Sequence, residues 1–298
     1  MFIIRHKNLF LGLTILLMVL SAVSIGVYGL NQGIDFKGGS VMEVDYGSST
    51  RPSVDVLKAK VDALNFGGAV VQPVATSSLI VKTRSITEPE RVALLKALAV
   101  NASTTLVQKQ FNSIGPVVGA ELRSKSFSAI AIVILLIVLY ITFAFRKVSY
   151  PVASWKYGLI AVVTLLHDVL VPTGFFALYS HATGAEIDVL FVTAILAVLG
   201  FSIHDTIVVF DRIRENLRDA RGKQTFAETV GKSLNETFTR SINTSLTVLL
   251  TLLVLYFVGG ETTHNFALLL IVGIAAGTYS SIFFASPLLV EIEKWQKK

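Results

Sequence analysis

A few ionisable residues stand inside stretches that are otherwise apolar. Asp205, preceded by His204, lies about a turn and a half before the next charged residue, too deep for a short side chain to reach water comfortably. Asp168, preceded by His167, lies deeper in another apolar stretch, and Arg240 opens a third. A protonated carboxyl is tolerable in a low dielectric, whereas an ionised one needs a cation. The sequence therefore predicts a proton-binding site at Asp205, with Arg240 as its cationic partner.

The neighbouring polar residues also have structural interpretations. Arg240 alone could be a flank whose side chain extends to the lipid headgroups. His204 could hydrogen-bond a neighbouring helix, and Asp168 could be a neutral, hydrogen-bonded acid. His204, His167 and Asp168 are therefore candidates either for a proton path or for polar support of the site.

Polar residues recur on one face of the helix that Arg240 begins. Asn243, Thr244, Thr247 and Thr251 follow it at i+3, i+4, i+7 and i+11. Such a stripe either bonds neighbouring helices or forms the wall of a hydrated path. A separate small-residue face, which predicts close helix packing, consists of Gly273, Gly277 and Ser281.

The composition places this site in a membrane protein. The 298-residue chain is 53% hydrophobic and 15% charged, with a mean hydropathy of +0.67, whereas soluble domains carry about 25% charged residues. The absence of cysteine excludes disulfides, thiolate metal sites and cysteine nucleophiles. Six stretches approach the roughly 20 apolar residues that cross a bilayer. They run near Leu9–Leu30, Phe127–Phe145, Tyr157–Tyr179, Ile187–Phe210, Ile242–Val258 and Asn265–Val290.

The distribution of Lys and Arg predicts the orientation of these spans. The connections HATGAE and GGETTH contain neither residue, so both termini are expected to be cytoplasmic, and the net charge of +6 is a topology signal rather than a sign of nucleic-acid binding. The first span is expected to be an uncleaved anchor, although Ala22-Val23-Ser24 faintly resembles a cleavage site. The basic residues of the other segments are Arg5, Lys7, Arg146, Lys147, Lys156, Arg212, Arg214, Arg218, Arg221, Lys223, Lys232, Arg240, Lys294, Lys297 and Lys298.

The long connection from 31 to 125 then lies outside the membrane. Its periodicity alternates between strand and helix types, in the order β-α-β-β-α-β of the ferredoxin-like unit. The strands are SVMEVDY, AVVQPVA, LIVKTRS and TLVQKQF, and the helices are VDVLKAKVDAL and EPERVALLKALAV. The segment shows no paired carboxylates with a base and no metal-ligand spacing, and Gly38-Gly39 is either a turn or a ligand loop.

The predicted fold is thus a membrane all-α bundle of six transmembrane helices with one external α+β domain between the first two. The expected boundaries are 1–30 for the N-terminus and first helix, 31–125 for the external domain, and 126–298 for helices two to six. A cytoplasmic interfacial segment is expected at about 211–240.

Long motifs then resemble one family. NQGIDFKGGS after span one, SIGPVVGAEL before span two, HDV in span three, EIDVLFVTAILAVLGFSIHDTIVVFDRIREN through span four and TRSINTSLTVLLTLLVLYFVGG are similar to those of the SecF family. Members of this family are accessory subunits of the bacterial Sec protein-export machinery and relatives of the resistance–nodulation–division transporters. The similarity covers nearly the whole chain.

The resemblance implies specific roles and partners. The proton-relay acid and the arginine of the family fall on Asp205 and Arg240, whereas His204 departs from the usual Asn and could add a second protonatable group. The implied function is to complete polypeptide export across the plasma membrane by using the proton gradient. The implied partners are SecD, the SecYEG channel complex, the preprotein and membrane lipid. No enzymatic activity, metal or cofactor is implied, the coupling ion is H⁺, and no second copy of the motifs marks a fused SecDF chain.

Two other functions are compatible with the same residues. One is a proton-coupled exporter of small molecules, which would need a substrate pocket in the external region. The other is a passive structural subunit, in which the polar residues only hold helices together.

Overall fold

A computed structural model describes residues 2–47, 51–74, 76–99, 106–145, 152–220 and 224–297. The chain divides into two compact units, one formed by Met1–Asn31 with Ser128–Lys298 and the other by Gln32–Phe127. Several residues named above lie outside the described residues: the basic residues Arg146, Lys147, Arg221, Lys223 and Lys298, and the predicted element ends Ala75, Val100 and Thr105.

The described residues form eleven α-helices and four strands. The six helices or helix pairs that are long and apolar enough to cross a membrane confirm the prediction of six spans. The sixth is interrupted by a π-helical segment, Ser281–Ala285. In chain order the helices are α1 (Phe2–Arg5), α2 (Lys7–Tyr28), α3 (Ile34–Lys37), α4 (Val54–Asp62), α5 (Glu88–Leu98), α6 (Pro116–Ala144), α7 (Ser154–Thr183), α8 (Val189–Ala220), α9 (Phe226–Val258), α10 (Glu261–Ser280) and α11 (Ser286–Lys297).

The segment 211–240, expected to be interfacial, consists in its described part of the ends of two long helices. Residues 211–220 continue α8, and residues 226–240 form the first turns of α9, which begins at a capping box in which Thr225 and Glu228 satisfy each other's backbone amides. The two arms pair through polar contacts: Arg212 Nε donates to Glu236 Oε2 at 2.7 Å, and Asn216 Nδ2 donates to Ser233 Oγ at 2.9 Å. The buried residues Ile213, Phe226, Val230 and Leu234 form the apolar seam beside these contacts. The charges therefore belong to a helical hairpin rather than to a separate helix.

Helices α8 and α10 pack in register, each through residues spaced four apart. An added Cβ at Gly273 would lie 3.1 Å from a Val198 methyl, and one at Gly277 would lie 2.9 Å from Ser202 Cβ. At the next step the hydroxyls of Thr206 and Ser281 are 2.8 Å apart. The predicted small-residue face, Gly273, Gly277 and Ser281, thus lies against α8 along its whole length.

Helices α2 and α7 approach each other even more closely. An added Cβ at Gly174 would lie 2.5 Å from Ser21 Cα and 2.8 Å from the Ser21 carbonyl oxygen. Ser24 Oγ also donates to the Gly174 carbonyl at 2.8 Å. Because backbone atoms rather than flexible side-chain ends block the space, a side chain at residue 174 must push the two helices apart.

We therefore expect Gly174→Ala to destabilise the bundle by roughly 1–3 kcal/mol, the usual cost of overpacking. Thermal unfolding of the purified protein in detergent measures this effect. Gly26→Ala on α2 is the matched control, because nothing lies within 4 Å of its added Cβ. Equal melting temperatures for the two variants would contradict the close approach of α2 to α7.

The second unit contains a four-stranded antiparallel sheet. Its strands are β1 (Gly39–Asp45), β2 (Val70–Pro73), β3 (Ser78–Thr83) and β4 (Val107–Ile114), in the order β2-β3-β1-β4. Alternate residues of β1 join a buried core with α4 and α5 that includes Met42, Val44, Leu57 and Leu94. Helix α5 begins at a capping box of Thr87 and Glu90, and Arg84 holds the pKa of Glu90 at about 2, so the capping carboxylate stays ionised.

The two consecutive glycines form a tight turn between α3 and β1. Gly38 has φ +78° and Gly39 has φ +145°, backbone angles that residues other than glycine rarely adopt. An added Cβ at Gly38 would lie 2.8 Å from Pro116 Cα, and one at Gly119 would lie 2.8 Å from the Gly38 nitrogen. The backbone of the turn thus fills the space beside the first turn of α6, which favours the turn interpretation over a ligand loop.

Candidate functional site

The carboxyl group of Asp205, on α8, lies against α9 and makes a hydrogen bond to it through one of its two oxygens. Only 6% of the Asp205 surface is exposed to solvent. Ser241 Oγ of α9 donates to Asp205 Oδ1 at 2.6 Å. Oδ2 is buried and has no hydrogen-bond partner among the residues that the structure describes. A buried carboxyl oxygen without a partner is costly, so this atom is where a proton or a cation would have the largest effect.

Two basic residues act on this carboxyl electrostatically, namely His204 and Arg240. Both are exposed on the surface of the helical unit. Neither forms an ion pair with Asp205 in the described part of the chain, a point that the sequence had left open for Arg240. Among the described residues the site therefore contains an acid and a nearby cation that do not form an ion pair.

The hydrogen bond at Asp205 continues into α10. Ser245 Oγ donates to the Ser241 carbonyl at 2.9 Å, and the hydroxyls of Ser245 and Thr278 are 2.6 Å apart. Neither serine was predicted from the sequence, because the polar stripe that begins at Arg240 lies on a different face of α9. The signal that identifies them is a run of small hydroxyl residues at every fourth position of α9, all of them buried: Thr229, Ser233, Thr237, Ser241 and Ser245.

The predicted polar stripe faces away from this chain's own helices. Asn243, Thr244, Thr247 and Thr251 are all exposed. Thr247 Oγ1 donates to the Thr244 carbonyl at 2.8 Å, and Thr251 Oγ1 donates to the Thr247 carbonyl at 3.1 Å, both within α9. Within the described residues the stripe bonds no other helix of this chain, so both sequence-based interpretations of it stay predictions.

A second polar cluster joins α7 to α8. His167 and Asp168 are fully buried, and His167 Nδ1 lies 2.8 Å from Asp168 Oδ1. Ser202 Oγ donates to Asp168 Oδ2, and His167 Nε2 has no partner among the described residues. Asp168 is therefore satisfied on both oxygens, unlike Asp205. The contact of Ser202 with this pair was not predicted, since no local sequence signal joins residues 34 positions apart.

Neither cluster has the ligand set of a metal site. Among the described residues no group of three His, Cys, Asp or Glu side chains is placed to hold a metal ion.

Comparisons with known proteins agree with this architecture. The family described as protein export membrane protein SecD/SecF, C-terminal, matches residues 94–295, and the SecD/SecF GG motif matches residues 23–49. Protein translocase subunit SecF of Thermobaculum terrenum is 42% identical, covering 99% of this chain and 94% of that protein. The same subunit of Anaerolinea thermophila is 36% identical, covering 99% and 95%.

Similarity extends to solved structures. The crystal structure of SecDF, a translocon-associated membrane protein from Thermus thermophilus, is 32% identical with a TM-score of 0.82. The alignment covers 99% of this chain but 38% of that one, so the present chain corresponds to a minority of the SecDF polypeptide. SecDF in its super-membrane-facing form matches with a TM-score of 0.70.

Proposed function

Since the chain belongs to the SecD/SecF family of protein export membrane proteins, we propose that it couples proton movement at Asp205 to polypeptide export. The chain is a Sec translocase accessory subunit of the SecF type and a multi-pass inner-membrane protein. The observation that carries the proposal is Asp205 Oδ2, which is buried without a hydrogen-bond partner among the described residues, with His204 and Arg240 acting on the carboxyl electrostatically.

The coupling step is a change of charge at the α8–α9 contact. Protonated Asp205 is neutral and keeps only the hydrogen bond from Ser241. Loss of the proton leaves a buried negative charge, which draws the Arg240 guanidinium toward it. Because Asp205 is on α8 and both Ser241 and Arg240 are on α9, forming or breaking this pair shifts the two helices relative to each other. A proton that crosses the membrane supplies about 2.3 kcal/mol per 100 mV.

The two units have different roles in this proposal. The sheet unit is the external domain, predicted at 31–125, and its strand order and fully antiparallel pairing support a ferredoxin-like assignment. The spans of 1–30 and 126–298 form the proton-coupled bundle, and the hairpin within 211–240 is cytoplasmic. The basic residues at alternate connections support cytoplasmic termini and an outer location for the external domain.

The outward polar stripe supports a protein partner in the membrane. The SecDF protein of Thermus thermophilus, 35% identical to this chain, is covered over 36% of its length, and its name joins SecD to SecF in one chain. A separate SecD subunit is therefore proposed as the partner here. Exposed Asn243 and Thr247 would cost free energy against lipid but can hydrogen-bond a neighbouring protein helix. SecYEG, the preprotein and lipid complete the proposed set of partners.

Replacing both Asn243 and Thr247 with Leu is expected to weaken binding to SecD, measured by co-purification, about 5- to 30-fold, since a double loss of interhelical bonds costs ~1–2 kcal/mol. The variant should still insert, because its exposed face becomes more apolar. Thr193→Leu on α8 is the matched control: Thr193 is exposed and bonds only its own helix. Undiminished co-purification of the double variant would show that SecD does not contact this face.

The proposed function is tested in membrane vesicles that contain the Sec channel, SecD and this chain. Preprotein export is measured with an intact proton gradient and after an ionophore has collapsed it. The proposal expects this chain to accelerate export only while the gradient is present. Equal acceleration after collapse would refute proton coupling and leave a structural subunit.

A further inference from the structure

The polar cluster of His167, Asp168 and Ser202, which the proposed coupling step does not use, contains one buried nitrogen that makes no hydrogen bond to any described residue. Asp168 accepts hydrogen bonds on both oxygens if His167 carries its proton on Nδ1, because Ser202 already donates to the other oxygen. In this arrangement the lone pair of His167 Nε2 is fully buried and has no hydrogen-bond partner in the described part of the chain. When Nε2 carries no proton, His167 is neutral and the cluster has the single negative charge of Asp168. When Nε2 is protonated, His167 is positive and forms a neutral ion pair with Asp168.

The backbone around the cluster is irregular on both sides. Pro172 lies inside α7 and removes the amide that would bond the carbonyl of Asp168, four residues earlier. The facing segment Ser281–Ala285 is π-helical, and its Phe284 ring lies 6.0 Å from the His167 ring. Such bulges and proline breaks are where membrane helices bend and where functional sites are frequent. The cluster thus lies between two irregular helical segments, one at Pro172 and one at Ser281–Ala285.

We infer that His167, Asp168 and Ser202 form a second proton-binding site, in which His167 Nε2 takes up and releases one proton, and that its occupancy is coupled to that of Asp205. The proton binds the Nε2 lone pair and returns to water that enters when the helices open, so no bond other than N–H forms or breaks. This inference rests on the proposed function for its role in export, but not for its chemistry.

The coupling has a continuous physical route. Ser202 lies three residues before Asp205 on α8, and Gly277 of α10 is packed against it. The next residue on α10, Thr278, contacts Ser245, which bonds the Ser241 carbonyl, and the Ser241 hydroxyl bonds Asp205. The two acids are thus connected through α8 directly and through α10 and α9, so a charge at one changes the free energy of a charge at the other.

Other titratable groups on the helices around α7 are few. Tyr279 of α10 faces the cluster, and the centroid of its ring lies 6.3 Å from that of the His167 ring. On α8 the nearest are Asp205 and His204. At the ends of the packed helices are the Lys7–Glu291 pair of α2 and α11, Glu293 and Lys294 of α11, and the stacked Tyr28 and His181 of α2 and α7.

The test is nitrogen NMR of the full chain in lipid nanodiscs, with the five histidines labelled. Only His167 and His204 precede an aspartate, so a His204→Asn background combined with carbonyl-His and amide-Asp labelling identifies His167 without altering the cluster. We expect the signal of His167 Nε2 to change from that of a protonated to that of an unprotonated nitrogen as the pH of the sample is raised. Adding Asp205→Asn removes a nearby negative charge, so the protonated fraction at fixed pH should fall on the order of twofold or more.

Asp211→Asn is the control, because this exposed acid of α8 is paired with Arg214 and should leave His167 unchanged. A His167 ring that keeps one protonation state throughout, or an equal fraction with and without Asp205→Asn, would overturn the inference. These results are distinct from the export test: a fixed His167 ring with gradient-dependent export refutes the second site alone. A titrating, coupled ring without gradient dependence refutes the export proposal alone.

Discussion

Asp205→Asn is expected to remove gradient-dependent export while leaving the protein inserted and assembled. Asparagine has nearly the same size and keeps a carbonyl oxygen that accepts the hydrogen bond from Ser241, but it cannot ionise. If the full energy of one proton across 100 mV is used, about 2.3 kcal/mol, the gradient can accelerate export by up to ~50-fold. The variant should therefore export at the rate of the wild type with a collapsed gradient.

Asp211→Asn is the matched control for this prediction. It removes an acid from the same helix, six residues later, at a side chain that is 55% exposed and paired with Arg214. Exposed ion pairs contribute about 0–1 kcal/mol, so gradient-dependent export should be retained. Normal gradient dependence in Asp205→Asn would eliminate Asp205 as the coupling group, and loss of export in both variants would indicate damage to the hairpin rather than to proton coupling.

Gly38→Ala should cause a large structural loss in the sheet unit. The positive φ costs a non-glycine residue about 1–3 kcal/mol, and the added methyl would also overlap Pro116 backbone atoms, which cannot rotate away. The expected total is roughly 2–5 kcal/mol, a large share of the stability of a small domain. Because the sheet unit unfolds more often when it is less stable, the β1 amides of the full-length variant should exchange hydrogen faster than those of the wild type.

Gly68→Ala separates the two causes of this loss. Gly68 has φ +81°, close to that of Gly38, but nothing lies within 4 Å of its added Cβ. Its variant should therefore show only the backbone strain. Equal acceleration of exchange in both variants would mean that the contact with α6 contributes nothing.

The sequence predicted most accurately those features that depend on burial. Apolar length identified the six spans, and alternation identified the four strands, because each property is local. The depth of Asp205 in an apolar stretch likewise predicted a buried acid, and the structure places it at 6% exposure. Its hydrogen-bond donor Ser241 was not predicted, since serine is common in helices and only the neighbouring helix makes this one important.

The direction in which a helix face points was harder to predict. The spacing of Arg240, Asn243, Thr244 and Thr247 correctly defined one face of α9 but not whether that face meets the chain's own bundle. The length of the spans was also underestimated, because the charges after Phe210 suggested an end. Pairing between arms, such as Arg212 with Glu236, lets both helices continue beyond the apolar stretch.

The central claim is that Asp205 itself gains and loses a proton, and infrared difference spectroscopy of the protein in lipid tests it most directly. Raising the pH should remove the carbonyl band of a buried, protonated carboxyl group from the wild type. That band should be absent from Asp205→Asn and still present in Asp211→Asn. Identical difference spectra for the wild type and Asp205→Asn would contradict the claim.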